Sequence, residues 1–118
     1  MYFNNTISRS IGLVNSALST LSSYNDYQAP SSEPNRWIRN TARTTVDPAY
    51  YDLQNAARDA RWEGISYGNV SEALRGAEYI REATFDLSDR PSQGRPANVW
   101  AARQHLQQAM DMLRRAQW

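Results

Sequence analysis

The sequence predicts an all-α protein, a bundle of four main helices, and three observations carry that prediction. Apolar residues recur at three- and four-residue spacing in several separate stretches, which is the spacing that builds one helical face. Two of these stretches lie back to back between Asp47 and Leu87, with glycines at the break between them, and read as a helical hairpin. The patterned stretches are set apart by dense runs of turn-forming residues at 25–34 and 88–96. The expected helices span 5–24, 48–63, 70–88 and 97–117, with a short extra helical turn near 35–44. Residues 1–118 make one domain around a central hairpin of 48–63 and 70–88. A chain of this length suits one modest core.

The first helix rests on Ile7, Ile11, Val14, Leu18 and Leu21, which step by four, three, four and three. Its remaining faces are Ser, Thr and Asn, and Arg9 is the only charge before Asp26. Packing into a bundle by the apolar stripe is the direct reading. In being Ser/Asn-rich, amphipathic and free of early acidic residues, the same stretch resembles the N-terminal export signals of type III secretion substrates. That resemblance implies a non-classical export route. A standard signal peptide is not expected, because Asn15, Ser16, Ser19 and Thr20 interrupt the apolar run and a small-residue cleavage site is missing.

After the connector comes Arg36-Trp37-Ile38-Arg39-Asn40-Thr41-Ala42-Arg43. A helix started by Pro34 places Arg36, Arg39 and Arg43 at i, i+3 and i+7, on one face, with Trp37 beside them. Three fixed cations next to an aromatic suit a phosphate or a carboxylate-rich partner. The plainer alternative is a solvated face balanced by neighbouring acids such as Glu33 and Asp47.

Asp47-Pro48 has the form of a helix start, an acceptor side chain followed by a proline that has no N–H to leave unbonded. Tyr50, Leu53, Ala57 and Ala60 then mark the expected apolar face. Gly64 and Gly68 are expected in the turn. Asn69, with Glu72 three residues on, suggests a capping box for the next helix, whose face is Val70, Ala73, Ala77, Ile80, Thr84 and Leu87. The turn sequence Trp62-Glu63-Gly64 resembles that of the small secreted helical hairpins named for their Trp-x-Gly turn. The acidic motif that follows the second helix in that family is not matched, since Ala83 stands four residues after Tyr79. The segment from Gly68 to Leu74 resembles the turn and second helix of a tetratricopeptide repeat, but no copy recurs at the required period.

The last helix carries Val99, Ala102, Leu106, Ala109, Leu113 and Ala116 in its stripe, flanked by Trp100, Met110 and Met112. Arg114 and Arg115 fall in its final turn, where cations favour the negative end of the helix dipole. Trp118 brings a large apolar side chain to the end of the sequence, which a dock or a partner contact explains. The stripes are rich in alanine, so the core is expected to be thin and completed by association.

Composition narrows the function. Net charge is +1, so long-range attraction to nucleic acid or to an anionic membrane is weak. There is no cysteine, which removes disulfides, thiolate metal sites and cysteine nucleophiles. No apolar run reaches the roughly 18 residues that a membrane span needs. All 13 basic residues are arginine, while asparagine, whose codons share two bases with those of lysine, occurs nine times. A GC-rich genome accounts for the missing lysine, as does avoidance of lysine-directed modification or a preference for the guanidinium fork at contacts. The single histidine, His105, cannot assemble a usual zinc site and has no orienting carboxylate in its own sequence neighbourhood. No phosphate loop, nucleophile elbow or metalloprotease motif is present.

No catalytic residue, metal ligand or cofactor is therefore assigned. The expected function is that of a small non-enzymatic interaction protein: an assembly component such as a virus-particle subunit, an inhibitor, or a secreted factor. The candidate partner-binding residues are Arg36, Trp37, Arg39, Arg43 and Trp118, and the expected partner is another protein or a second copy. A nucleic acid held by the arginine-rich face is the alternative.

Overall fold

A computed structural model describes residues 2–89 and 97–118. Residues 90–96, most of the expected second connector, lie outside the described residues. Four helices, α1 (Tyr2–Leu21), α2 (Glu33–Asp59), α3 (Tyr67–Leu87) and α4 (Val99–Ala116), pack into a four-helix bundle. Each helix runs antiparallel to its neighbours in the ring α1–α2–α3–α4–α1. The described residues contain no strand.

α1 starts three residues earlier than its apolar stripe indicates, and the cause lies far away in sequence. The first N–H groups of a helix have no partner within it. Here the Phe3 N–H is received by the Glu63 carboxylate, with 3.0 Å to Oε2. Phe3 is thereby drawn into the core with Ile7, Val14, Ala17 and Leu21. At the other end Arg103 of α4 donates to the Leu21 carbonyl at 2.7 Å, closing α1 before the expected residue 24.

The largest departure from the sequence reading is α2. The turn expected near 35–44 and the helix expected at 48–63 are one continuous helix, with Pro48 inside it. Pro48 has no N–H to give the Thr44 carbonyl and its ring crowds that turn, an expense of about 3 kcal/mol in a helix interior. Burial on both sides outweighs that cost. Ile38, Ala42, Val46, Ala49, Leu53 and Ala56 form one buried stripe that passes the proline without a change of phase, and Pro48 itself faces solvent. The apolar face is consequently rotated from the expected one, with Ala49 and Ala56 at its centre and Tyr50 at its edge.

The real start of α2 is Ser32, whose hydroxyl accepts from the Asn35 N–H, with Pro34 in the first turn. Asn35 is fully buried and ties down the connector: its amide exchanges hydrogen bonds with the Asn25 backbone at 2.9 Å in both directions and reaches Ala29 O at 3.2 Å.

A 3-10 turn, Ala60–Glu63, continues α2, and Gly64 then adopts φ +73°, the left-handed conformation that reverses the chain. Gly68, also expected in the turn, lies inside α3. The cap of α3 is Ser66, not Asn69, and its hydroxyl accepts from the Asn69 N–H. The Asn69 side chain does a different job. It donates to Ala116 O and Gln117 O, satisfying carbonyls at the end of α4.

α3 and α4 approach closely where Gly76 faces Leu113: a Cβ at residue 76 would sit 2.8 Å from Leu113 Cδ2. Thr84, expected on the buried face, is half-exposed, and Gly76, Ala83 and Asp86 are buried instead. α4 buries Val99, Ala102, Leu106, Ala109, Leu113 and Ala116, the whole of its expected stripe, together with Met110 and Met112. Phe3, Ile7, Leu21, Leu53, Ile80, Leu87, Leu106 and Leu113 are fully buried at the centre. No helix among the described residues is long and apolar enough to cross a membrane.

Candidate functional site

The arginine row of α2 divides on folding. Arg39 turns inward and is 2% exposed. Its Nε and Nη2 donate to the Pro30 carbonyl at 3.2 and 2.8 Å, and its Nη1 donates to the Leu87 carbonyl at 2.9 Å. One guanidinium thus fastens the connector to α2 and caps the last turn of α3, where carbonyls lack helical partners and the dipole favours a cation. Its buried charge is compensated by carbonyl oxygens rather than a carboxylate. Arg39, expected among the partner-binding residues, is thus not freely offered at the surface, since three of its five N–H groups serve the fold.

Arg36 and Arg43 stay at the surface. With Arg39, Asn40, Ser88 and Asp89 they line a cleft of about 330 Å³ between the first half of α2 and the end of α3. The i, i+3, i+7 spacing does bring the three arginines to one place. Arg36 Nη2 donates to the Ser31 carbonyl at 3.2 Å. Neither Arg36 nor Arg43 has a carboxylate within 4.0 Å among the described residues, so Glu33 and Asp47 do not neutralise them. An adjoining hollow shares Arg43 and Ser88 and adds Asp47, Arg81, Thr84 and Phe85. Arg81 lies over the Tyr50 ring, 5.9 Å from its centre.

Trp37 does not share this cleft. One residue on from Arg36, it points about 100° around the helix and, 66% exposed, lines an apolar hollow with Ser23, Glu33, Pro34 and Ile38. Trp118 lies at the opposite end of the bundle. Its N–H donates to Asn4 Oδ1 at 2.8 Å, and Asn4 Nδ2 returns a bond to its carbonyl at 2.7 Å, while the indole remains 58% exposed. The five residues expected to bind a partner therefore occupy three places.

The other two tryptophans are exposed as well, Trp62 by 77% and Trp100 by 69%. Tyr2, Trp62, Tyr67 and Trp118 gather at the end of the bundle that holds the start of α1, the 3-10 turn, the start of α3 and the end of α4. Arg61 stacks over Trp62 at 4.9 Å from the ring centre. Tyr27, Trp37 and Trp100 stand at the other end, and Tyr27 is fully exposed. The sequence offers all four tryptophans as candidate contacts and singles out Trp37 and Trp118; which end of the bundle each occupies follows from the helix topology, which spacing along the chain does not carry.

Two further polar groups lie partly inside the bundle. His105, which has no orienting carboxylate nearby in sequence, acquires one through the fold: Asp86 Oδ2 lies 2.5 Å from its Nδ1. Asp86 is 5% exposed, and Tyr79 stacks on the imidazole with ring centres 6.2 Å apart. This pair clasps α3 to α4. Tyr24, half-buried beside the cleft end of the bundle, has its hydroxyl pKa pushed above the ordinary value of 10.0 by burial. Arg39 and Arg103 oppose that shift and Asp26 adds to it. Among the described residues no three His, Asp or Glu side chains converge to hold a metal. No protein-family model, curated protein or solved structure matches this chain.

Proposed function

We propose that this protein is a non-enzymatic interaction module that works through contacts with another protein, as an assembly component, an inhibitor or a secreted factor would. The observation that carries this reading is that all four tryptophans stand 58–77% exposed. An indole is among the largest apolar side chains, and its exposure to water is unfavourable unless something covers it. Trp, Tyr and Arg are also the residues on which binding energy concentrates in protein interfaces. The core is filled without the tryptophans, by Phe, Leu, Ile, Val, Met and Ala, so the indoles are not needed to complete the fold.

A nucleic-acid partner is less well supported. One of the three arginines on which it relied is committed to backbone carbonyls, and Asp89 and Asp47 stand beside the remaining two.

Tryptophan fluorescence tests the proposal directly. Emission should shift to the blue, and acrylamide quenching should fall, as concentration is raised or native extract is added. The Trp62→Ser/Trp118→Ser and Trp37→Ser/Trp100→Ser variants should melt close to the wild type while each loses part of that response. Indoles that remain fully quenchable at every concentration and with every extract would overturn the reading.

A further inference from the structure

We propose that the cleft between α2 and α3 is a receptor for carboxylates, and that its occupant is a short acidic segment of a protein partner. This deepens the interaction reading above and rests on it.

Three observations converge. The first is unspent charge. Arg43 makes no hydrogen bond or ion pair among the described residues, and Arg36 gives one bond to a carbonyl. Guanidinium groups present planar forks that match a carboxylate with two parallel bonds. The second is preorganisation. Arg39, locked by its three bonds to Pro30 and Leu87, contributes a fixed cation to the wall of the same cleft. Asn40, between Arg36 and Arg43 on the helix, adds an amide. Arg39 needs no further ordering on binding, whereas Arg36, Arg43 and Asn40 would give up side-chain freedom there.

The third observation chooses the occupant. A nucleic-acid strand carries a charge at every nucleotide and needs a continuous basic track. This cleft is lined by Asp89, and the hollow that adjoins it holds Asp47 together with Arg81, whose charges offset each other. Positive potential is thus confined to a patch of a few side chains, sized for one or two carboxylates. Asp89 repels a strand that would run past it, whereas a peptide can place its Glu or Asp against the arginines.

The experiment is fluorescence anisotropy of a labelled Gly/Ser peptide carrying two adjacent glutamates at low salt, with inorganic phosphate and a single-stranded oligonucleotide as competitors. The wild type should bind the peptide, and phosphate should compete only weakly. Arg36→Gln/Arg43→Gln should weaken binding by roughly fivefold to thirtyfold, the worth of two partly exposed charged contacts. Asn40→Asp, which supplies an internal carboxylate, should weaken it comparably. Asp89→Asn should strengthen it, a gain that misfolding cannot mimic. Arg114→Gln/Arg115→Gln, at the far end of the bundle, controls for net charge and should change little.

Equal binding by wild type and Arg36→Gln/Arg43→Gln, no binding by the wild type, or tighter binding of the oligonucleotide than of the peptide would each overturn the carboxylate assignment. The tryptophan experiment stands apart from this one. Indoles that become covered while the cleft ignores the peptide would leave the interaction reading intact and remove only the cleft's role.

Discussion

Replacing Arg39 with methionine separates a residue that holds the fold from one that only offers charge to a partner. The substitution keeps most of the aliphatic stem and removes the guanidinium. Three donor contacts are lost, and the carbonyls of Pro30 and Leu87 are left without their side-chain partner. Hydrogen bonds to a charged group contribute about 1.5–3 kcal/mol each. Methionine recovers part of this, because no cation then has to be kept from water. The net loss should be about 3–5 kcal/mol, on the scale of breaking a buried ion pair by removing one partner. For a chain of this size that lowers the melting temperature by roughly 12–20 °C.

Circular dichroism in urea and on heating measures the change directly. Hydrogen exchange should localise it to the connector and the final turn of α3. Arg39→Lys should fall between, since one ammonium cannot span both carbonyls as the fork does. Arg36→Met, at the solvent-facing end of the same row, should shift stability by no more than about 0.5 kcal/mol. An Arg39→Met protein within about 1 kcal/mol of the wild type would refute the assignment of Arg39 as a structural clamp.

Two other outcomes follow from the geometry. Gly76→Ala should destabilise by about 1–2 kcal/mol despite the better helix propensity of alanine, because the new Cβ meets the buried Leu113 at 2.8 Å. Gly12→Ala, where nothing lies within 4 Å, should stabilise by roughly 0.5–1 kcal/mol, and chemical denaturation of the pair reads both signs. Tyr24 ionises less readily folded than unfolded. Its contribution to stability is therefore complete below the ordinary tyrosine value of 10.0 and is lost as pH rises from there through its folded value. Tyr24→Phe should flatten that alkaline decline in melts taken across the range.

How far the sequence could be read depends on what each feature requires. α4 was legible nearly to the residue, because its stripe keeps one phase from Val99 to Ala116 and its last turn carries Arg114 and Arg115. α2 was not. Asp47-Pro48 is a sound local signal for a helix start, but the stripe from Ile38 to Ala56 runs through it, and long-range burial decided the outcome. Asn69 and Ser66 are both acceptable caps, and the choice between them turned on carbonyls of α4 that need Asn69.

The arginine cluster at residues 36, 39 and 43 was legible as a cluster. Which of its members would turn inward was set by the connector's path past Pro30, and no local pattern encodes that. The pairing of His105 with Asp86 likewise joins two helices across a connector. Spacing along the chain carries no trace of it.

The ring of helices is not closed evenly. The seam between α1 and α4 is the least extensive of the four, and it is latched at each end by side-chain bonds to backbone: Asn4 with Trp118, and Arg103 with Leu21. Such latches lie near the surface, where water competes for them. Local opening at this seam should therefore cost less than at the α3–α4 seam, and hydrogen exchange should show α1 less protected than α3. Glu63, which receives the Phe3 N–H, would keep the start of α1 tied to the end of α2 as the seam loosens.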